Sequence, residues 1–282
     1  MRDENGLLVG WGLGTATFPA IMFQGQASAV LRRDGTGLVE LGAQDMGQGA
    51  WTALAQIAAD SLGLELEQLE FRSGSSDLPD AGIAGGSSHT ATAGMAIHGA
   101  GADVISKLAE LAMGDERSPL FAANNAGVLA RGGRLYRRDD ESRSESYADI
   151  LSRAGLAEIE GHGSAGGDPF AEKPYAMHAH GAVFAEVKVD PELGQIRATR
   201  LVGAFAAGTI INPRLVRSQY YGGMIWGVSF ALYEAALLAG SALRAGHERE
   251  PGRVPHSSEC RCAIARGHPD RRARPACERA RH

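Results

Sequence analysis

A period of two, strongest at residues 182–202, marks the clearest strand pair in the chain. Val183, Ala185, Val187 and Val189 alternate with Phe184, Glu186 and Lys188, and Ile196, Ala198 and Val202 resume the pattern after a turn. That turn is Asp190-Pro191-Glu192-Leu193-Gly194, with Pro fixing φ and Gly available for a left-handed position. Strands are also predicted over 6–15, 26–32, 37–44 and 69–72, with Asp34-Gly35-Thr36-Gly37 joining the second and third as a hairpin. Helical spacing takes over at 50–62, where Trp51, Leu54, Ala58 and Leu62 form one apolar stripe and Gly63 follows as a left-handed cap. A second helix is predicted over 91–113, with Ile97, Val104, Leu108 and Leu111 on its buried side. Residues 127–138 read as a hairpin around Gly132-Gly133, 137–145 as a solvated loop and 147–154 as a short helix. A further helix begins at Asn212-Pro213, an N-cap followed by the residue favoured at the first helical position. Along it Gly223, Gly227 and Ala231 leave a flat side that another backbone can approach. Sequential hairpins separated by long helices indicate an α+β fold with mixed sheets.

Composition divides the chain into a body, 1–239, and a basic tail, 240–282. Of 282 residues, 44% are hydrophobic and 22% charged, an ordinary globular balance with a net charge of −5. The stretch 244–282 holds ten Arg against five acidic residues, so the rest of the chain carries about −10. An acidic body argues against nucleic acid, which needs clustered Lys and Arg. The longest uncharged apolar run, 218–233, is interrupted by Gly222, Gly223 and Gly227 and is too short for a bilayer. No export signal follows Met1, so a cytoplasmic chain is expected, with export on a partner's signal as the alternative. Beyond about residue 240 neither periodicity survives and large aliphatics nearly vanish. That tail reads as disordered or as coding sequence read out of frame.

Two glycine-rich turns, each feeding a helix, are the candidate binding elements. The first is Asp45-Met46-Gly47-Gln48-Gly49 and the second Gly85-Gly86-Ser87-Ser88-His89-Thr90. Glycines let a ligand approach the backbone, and the first amides of a helix attract an anion. Plain tight turns and ordinary Ser/Thr caps explain the same residues, and both readings stand at this point. Gln219, one turn before Gly222-Gly223, is a candidate ligand contact or a surface polar residue. His89, His98, His178 and His180 read as exposed or hydrogen-bonded imidazoles rather than metal ligands, because no third ligand has the spacing. Cys260, Cys262 and Cys277, with His256 and His268, match no regular zinc motif, and no metal site is assigned. Neither a Gly-x-Ser-x-Gly elbow nor His-Glu-x-x-His is present.

Taken in order, several segments resemble the molybdopterin-binding subunit of the xanthine dehydrogenase and aldehyde oxidase family. Leu41-Gly42-Ala43-Gln44-Asp45-Met46-Gly47-Gln48-Gly49, followed by Thr52, Gln56, Ile57, Ala58 and Asp60, is similar to that family's Met-Gly-Gln-Gly segment and helix. Gly74-Ser75-Ser76-Asp77-Leu78-Pro79 and Gly85-Gly86-Ser87-Ser88 resemble its next two loops, although Ser75 stands where the family often has an acidic residue. Glu186-Val187-Lys188-Val189-Asp190 with Gly194, then Asn212-Pro213, Gln219, Gly222-Gly223 and Ala231-Leu232-Tyr233-Glu234, resemble the following hairpin and helix. The likeness runs over residues 6–236.

The resemblance implies the second molybdopterin-binding domain of a molybdenum hydroxylase. It implies binding of molybdopterin with molybdenum, in bacteria often as the cytosine dinucleotide. Gly47, Gln48 and Gly49 would hold the phosphate or pterin part, Gly86, Ser87 and Ser88 the phosphate region, and Gln219 the pterin. It further implies hydroxylation of aldehydes or N-heterocycles, with iron–sulfur and FAD groups on partner subunits or domains. The chain departs from the family at both ends: the earlier cofactor-binding half and the later Gly-rich segment with its base glutamate have no counterpart. No catalytic residue is therefore assigned, and a truncated domain that does not turn over alone is expected. The alternatives are a non-catalytic phosphate- or nucleotide-binding or interaction module, and a non-functional fragment.

Overall fold

The computed structural model describes residues 1–123, 127–167 and 175–234, and the backbone of 259–265. The described chain falls into two compact units, residues 20–175 and the combination of 1–19 with 176–282, where the hydropathy pattern suggested one body over 1–239. Helices and mixed sheets make each unit α+β, as the pattern of elements predicts.

The 20–175 unit is built on a four-stranded sheet in the order β4-β3-β2-β8. Its strands are β2 (Gly25–Arg32), β3 (Gly37–Glu40), β4 (Leu69–Arg72) and β8 (Glu158–Ala165). β2 is central, pairing antiparallel with β3 from Ser28↔Glu40 to Leu31↔Gly37 and with β8 from Gly25↔Ala165 to Arg32↔Glu158. β3 and β4 are parallel, so the chain crosses between them through helix α1 (Ala50–Leu62). Helix α2 (His89–Met113) then lies beside α1 against β2 and β8.

Glycines set how closely α2 lies on the sheet. A methyl group on Gly163 of β8 would sit 2.0 Å from the Ala96 carbonyl oxygen and 2.2 Å from the Ala100 nitrogen. One on Gly161 would meet the Ala100 carbonyl at 2.7 Å. Strand backbone therefore touches helix backbone directly. Ala96, Ile97, Ala100, Val104 and Leu108 are wholly buried here, together with Ala29, Leu31 and Val39 of the sheet and Leu54, Ala58 and Leu62 of α1. β8 escapes the hydropathy reading because two of its eight residues are glycines, which have poor strand propensity and no side chain to alternate.

The two helices run in the same direction. A methyl on Gly94 would meet Ile57 Cδ1 at 2.8 Å, and one on Gly101 would meet Ser61 Oγ at 2.5 Å. Residue number thus rises together along both helices. Both begin at the same end of the layer, after the loops that leave β3 and β4.

The predicted cap at Gly63 is present, with φ 60° and its amide donating to the Asp60 carbonyl. Gly63 also packs under the β5–β6 hairpin (Val128–Arg131, Arg134–Arg137), whose turn residues Gly132 and Gly133 both have positive φ. Residues 137–145, expected to be a solvated loop, instead include β7 (Asp140–Ser146), the third strand of this small sheet. Glu141 on it pairs with Arg131 of β5 at 2.9 Å, and its Ser144 Oγ accepts from Arg134 of β6 at 3.2 Å. Helix α3 (Tyr147–Ala154) follows, and Arg153 from it engages the buried Glu145, which also accepts from Ser118 Oγ at 2.6 Å. Tyr147 is fully buried and donates to the Leu62 carbonyl at 2.9 Å, tying α3 to the end of α1.

In the other unit, β1 (Leu8–Pro19), β9 (His178–Val189) and β10 (Ile196–Ala206) form antiparallel ladders. The β9–β10 turn closes at Gly194, with φ 65° and its amide donating to the Asp190 carbonyl at 2.9 Å. Helix α4 (Pro213–Leu232) opens as predicted: the Asn212 side chain accepts from the amides of Arg214 and Leu215, both at 3.1 Å. Its small residues Gly223, Gly227 and Ala231 border an apolar cavity of about 490 Å³, lined from the sheet by Val183, Ala185 and Val187. Leu13 and its cross-strand partner Phe184 lie 58% and 51% exposed. In the basic tail, 259–265 forms β11 (Glu259–Ala265), parallel to β10 from Arg200↔Glu259 to Ala206↔Ala265. This differs from the expectation of no regular structure. Cys260, Cys262 and Ile264 alternate with Arg261 and Ala263, a strand period that the open edge of β10 can template. The rest of the 240–282 expectation lies outside the described residues.

The glycine contacts give a direct test. Gly163→Ala should lower unfolding free energy by about 3 kcal/mol in urea denaturation, since backbone rather than a flexible side chain opposes the methyl. Gly167→Ala, with nothing within 4 Å, should change it little.

Candidate functional site

Three of the loops quoted above come together at the shared starting end of α1 and α2. Gly42 donates its amide to the Pro79 carbonyl at 2.7 Å, and its Cα lies so close to the Ser75 carbonyl that a methyl would stand 3.1 Å from it. Ser73 Oγ donates to the carbonyls of Leu41 and Ala43 at 2.8 and 2.9 Å. Trp51, expected in the core stripe, is instead 43% exposed; its Nε1 donates to the Ala43 carbonyl at 2.9 Å and its ring covers Gly74. Counting two helical turns back from the Ile57–Gly94 contact reaches Ala50, the first residue of α1, and Ser87, two residues before α2 begins. The two predicted turns are thus neighbours.

They differ in how their amides are used. At α1 the protein supplies its own anion. The Asp45 carboxylate accepts from the amides of Gly47, Gly49 and Trp51 at 2.8, 3.2 and 3.2 Å. These bonds hold its acidity stronger than that of an ordinary carboxyl, the Gly47 amide being the largest cause. Gly47 and Gly49 have φ of 103° and 79°, so the turn needs glycine at both positions. Gln48 is folded onto the same loop: its Oε1 accepts from the Met46 amide at 2.7 Å and its Nε2 donates to the Gln44 carbonyl at 3.1 Å. The expectation of bare amides at this helix start is corrected accordingly. An arriving anion meets a carboxylate already in place.

At α2 no side chain caps the helix among the described residues. Gly86 and Ser87 are exposed and consecutive in left-handed φ, at 59° and 55°. Ser87 is one of two described non-glycine residues with positive φ, a strain of the kind held at ligand-binding turns. Its hydroxyl faces solvent, whereas Ser88 is fully buried and donates its hydroxyl to the Gly85 carbonyl at 2.7 Å. Ser88 therefore braces the loop from within, and a side-chain contact from Ser88 to a ligand is not what this geometry offers. The amides of His89, Thr90 and Ala91, in the first turn, have no acceptor within the helix.

His89 is the residue that sequence reasoning misplaced. It was expected to be exposed or hydrogen-bonded, as His98 and His178 are, the latter through Thr17 Oγ1 at 3.3 Å. Instead it is 7% exposed, with both ring nitrogens shut off from solvent. Burial pushes its pKa below the ordinary value, opposed by a hydrogen bond with the Ile83 backbone and by the charge of Asp45. That last influence places the ring within electrostatic reach of the α1 turn. Nothing in the sequence signals this, because burial at position 89 follows from α1 and α2 being side by side.

Gln219 is exposed on α4, in the other unit, one turn before Gly223. Among the described residues no group of three or more His, Cys, Asp or Glu could hold a metal ion.

The Asp45 cap generates a prediction. Asp45→Ala should destabilise the chain by about 1 kcal/mol, as loss of a helix cap does. Because the Asp45 pKa lies below its unfolded value, this contribution is present above about pH 4 and disappears as pH falls through the folded pKa. Urea unfolding at pH 7 and at successively lower pH below 4 should therefore separate the two proteins at the first pH and narrow the gap as pH falls.

The profile of the molybdopterin cofactor-binding domain family matches residues 1–247. The chain is 30% identical over 227 residues to the aldehyde oxidoreductase molybdenum-binding subunit PaoC of Escherichia coli K12, covering 80% of this chain and 29% of that protein. It is 28% identical over 242 residues to the 6-hydroxypseudooxynicotine dehydrogenase complex subunit gamma of Paenarthrobacter nicotinovorans, covering 83% and 29%. The fold matches carbon monoxide dehydrogenase from Oligotropha carboxidovorans with a TM-score of 0.72 at 19% identity, over 92% of this chain and 34% of that one. The chain thus spans under a third of the length of the curated relatives named here. No helix among the described residues is long and apolar enough to cross a membrane. A matched profile over most of its length and a similar subunit at 30% identity establish that this chain belongs to the molybdopterin cofactor-binding domain family of the molybdenum hydroxylases.

Proposed function

We propose that this chain forms the part of a molybdenum hydroxylase subunit that cradles the phosphate-bearing end of molybdopterin. The carrying observation is the pairing of two parallel helix starts, one of them uncapped and opened by the left-handed pair Gly86 and Ser87. The donor set fits a phosphate: the first-turn amides of α2 and the exposed residue Ser87. Gly86 keeps the approach to these amides open, and Ser88 holds the loop's shape. At the neighbouring turn, Gly47 and Gly49 allow close approach. Gln48 can exchange its two loop hydrogen bonds for equivalent ones to the pterin or phosphate part. Gln219, exposed beside the glycines of α4, is assigned to the pterin by its resemblance to the family pattern. The cytosine dinucleotide is the expected form of the cofactor.

The bound group supplies a two-electron redox centre. Residues of this chain bind and orient it; none is assigned to the chemical step. The names of the two relatives, an aldehyde oxidoreductase subunit and a subunit of a 6-hydroxypseudooxynicotine dehydrogenase complex, support aldehydes or N-heterocycles as the substrate class of the whole enzyme. Turnover then needs the remainder of the molybdenum subunit, with iron–sulfur and FAD subunits or domains to carry electrons away. Exposed Leu13 and Phe184, with Trp226 and Phe230 of α4 at 71% and 69% exposure, are the kind of apolar surface that such neighbours cover.

The test is molybdenum and pterin analysis of the chain purified with co-expressed partner subunits. Both should be present, and Gly86→Val, which forces a β-branched residue into left-handed φ, should remove them while leaving a folded protein. Folded wild-type protein that persistently lacks both overturns the proposal.

A further inference from the structure

Strand β1 is an open sheet edge without the usual protections. The strand order β1-β9-β10-β11 leaves its far side with no neighbouring strand among the described residues. Its twelve residues, Leu8–Pro19, include no charged side chain. Its register with β9 runs without a bulge from Leu8↔Val189 to Pro19↔His178. Each of the other described edge strands, β4, β5, β7, β8 and β11, is shorter and carries at least one acidic or basic residue. Charge, bulges and brevity are what keep sheet edges from pairing, and β1 has none of them.

Hydrogen bonding settles which groups face outward. Leu8 pairs with Val189 on one side and forms the bridge Arg2↔Leu8 on the other, where the Val9 amide donates to the Met1 carbonyl at 2.8 Å. In an antiparallel ladder both polar groups of a residue point the same way, and successive residues alternate. Trp11, Leu13, Thr15 and Thr17 therefore turn their N–H and C=O away from β9, and none of these groups has a main-chain partner among the described residues. This open stretch has a stop at each end. Met1 occupies the edge at Val9, and Pro19, which has no amide hydrogen, ends the strand.

A second copy of the stretch, laid antiparallel within the same stops, sets Trp11 opposite Pro19 and Thr15 opposite itself. Leu13 then faces Thr17 on one side of the sheet. On the other side Gly14 faces Ala16 and Gly12 faces Phe18, whose ring has room because a Cβ on Gly12 would meet nothing within 4 Å. No like charges come together. Leu13, Thr15 and Thr17 of both copies, with the Trp11 amides and Pro19 carbonyls, form eight main-chain bonds, inside the range of about 5–15 found in specific interfaces.

We propose that the β1 edge docks a second copy of this chain, joining two four-stranded sheets into one continuous sheet across a twofold axis at Thr15. A twofold pairing uses each open edge once and closes, so it removes the template for further association. The inference is independent of the phosphate cradle, whose turns lie in the other unit.

The experiment is sedimentation equilibrium of the full-length chain, loaded at about 1 to 100 µM to bracket a micromolar dissociation constant. Reducing buffer keeps Cys260, Cys262 and Cys277 from linking copies. The average mass should rise with concentration towards twice 29.6 kDa. Thr15→Pro deletes an outward amide hydrogen and no bond to β9, so it should stay at monomer mass with unchanged circular dichroism. Thr15→Val, which keeps the backbone donor and a β-branched side chain, should dimerise as the wild type does. Should Thr15→Pro fail to fold, hydrogen exchange of the wild type reads the same edge. The amides of Leu13, Thr15 and Thr17 should exchange at least about tenfold more slowly at the highest concentration than at the lowest. Monomer mass at every concentration overturns the proposal and assigns the edge to a different polypeptide. A folded Thr15→Pro that still dimerises, or a dimer in which those three amides gain no protection, places the contact elsewhere and equally overturns it.

Discussion

The close approach of α2 to β8 is the constraint on which the 20–175 unit depends. Backbone against backbone at Gly161 and Gly163 leaves no room for side chains between helix and strand. The small residues Ala96 and Ala100 continue that flat contact. With α2 pressed onto the sheet, α1 can lie beside it only where Gly94 and Gly101 make space for Ile57 and Ser61. Parallel helices with aligned starts follow from these four glycines. The apolar interior of Leu31, Val39, Leu54, Leu62, Ile97 and Leu108 supplies the favourable energy, but the glycines decide the register at which it is gained.

From that register the electrostatics of the site follow. Two helix starts placed together concentrate amide donors and partial positive charge at one end of a layer. The chain answers each differently. Asp45 saturates the α1 start with three amide bonds, fixing the shape of the Gly47–Gly49 turn at the expense of its appetite for an external anion. The α2 start has no side-chain cap among the described residues and adds the strained Ser87. Unequal use of two similar turns gives the proposed cradle a direction, with a ligand's most negative part at α2 and its hydrogen-bonding, less charged part beside Gln48.

Much of this was legible residue by residue. The hairpin at 182–202, the Asn212-Pro213 helix start, the Gly63 cap and the Gly132-Gly133 turn each carry local chemistry that permits few conformations, and each occurs where that chemistry placed it. The ordered motifs carried the family in the same way, because glycine spacing in ligand-facing turns is constrained by close backbone approach. Strand β8 and strand β7 were not legible. One has glycines where a strand should show alternation, and the other carries charges such as Glu141 and Glu145 whose partners lie on other strands and helices.

The sequence by itself determined the local elements, the α+β class and the two glycine-rich turns, since these depend on propensities and φ preferences acting over a few residues. Only the tertiary structure decided which donors remain available. Whether Asp45 occupies the α1 amides, whether Ser88 turns inward while Ser87 stays out, and whether His89 is buried all depend on helix-to-strand and helix-to-helix contacts between residues far apart in the chain. Burial and hydrogen-bond satisfaction are properties of the packed layer, and no local pattern encodes them.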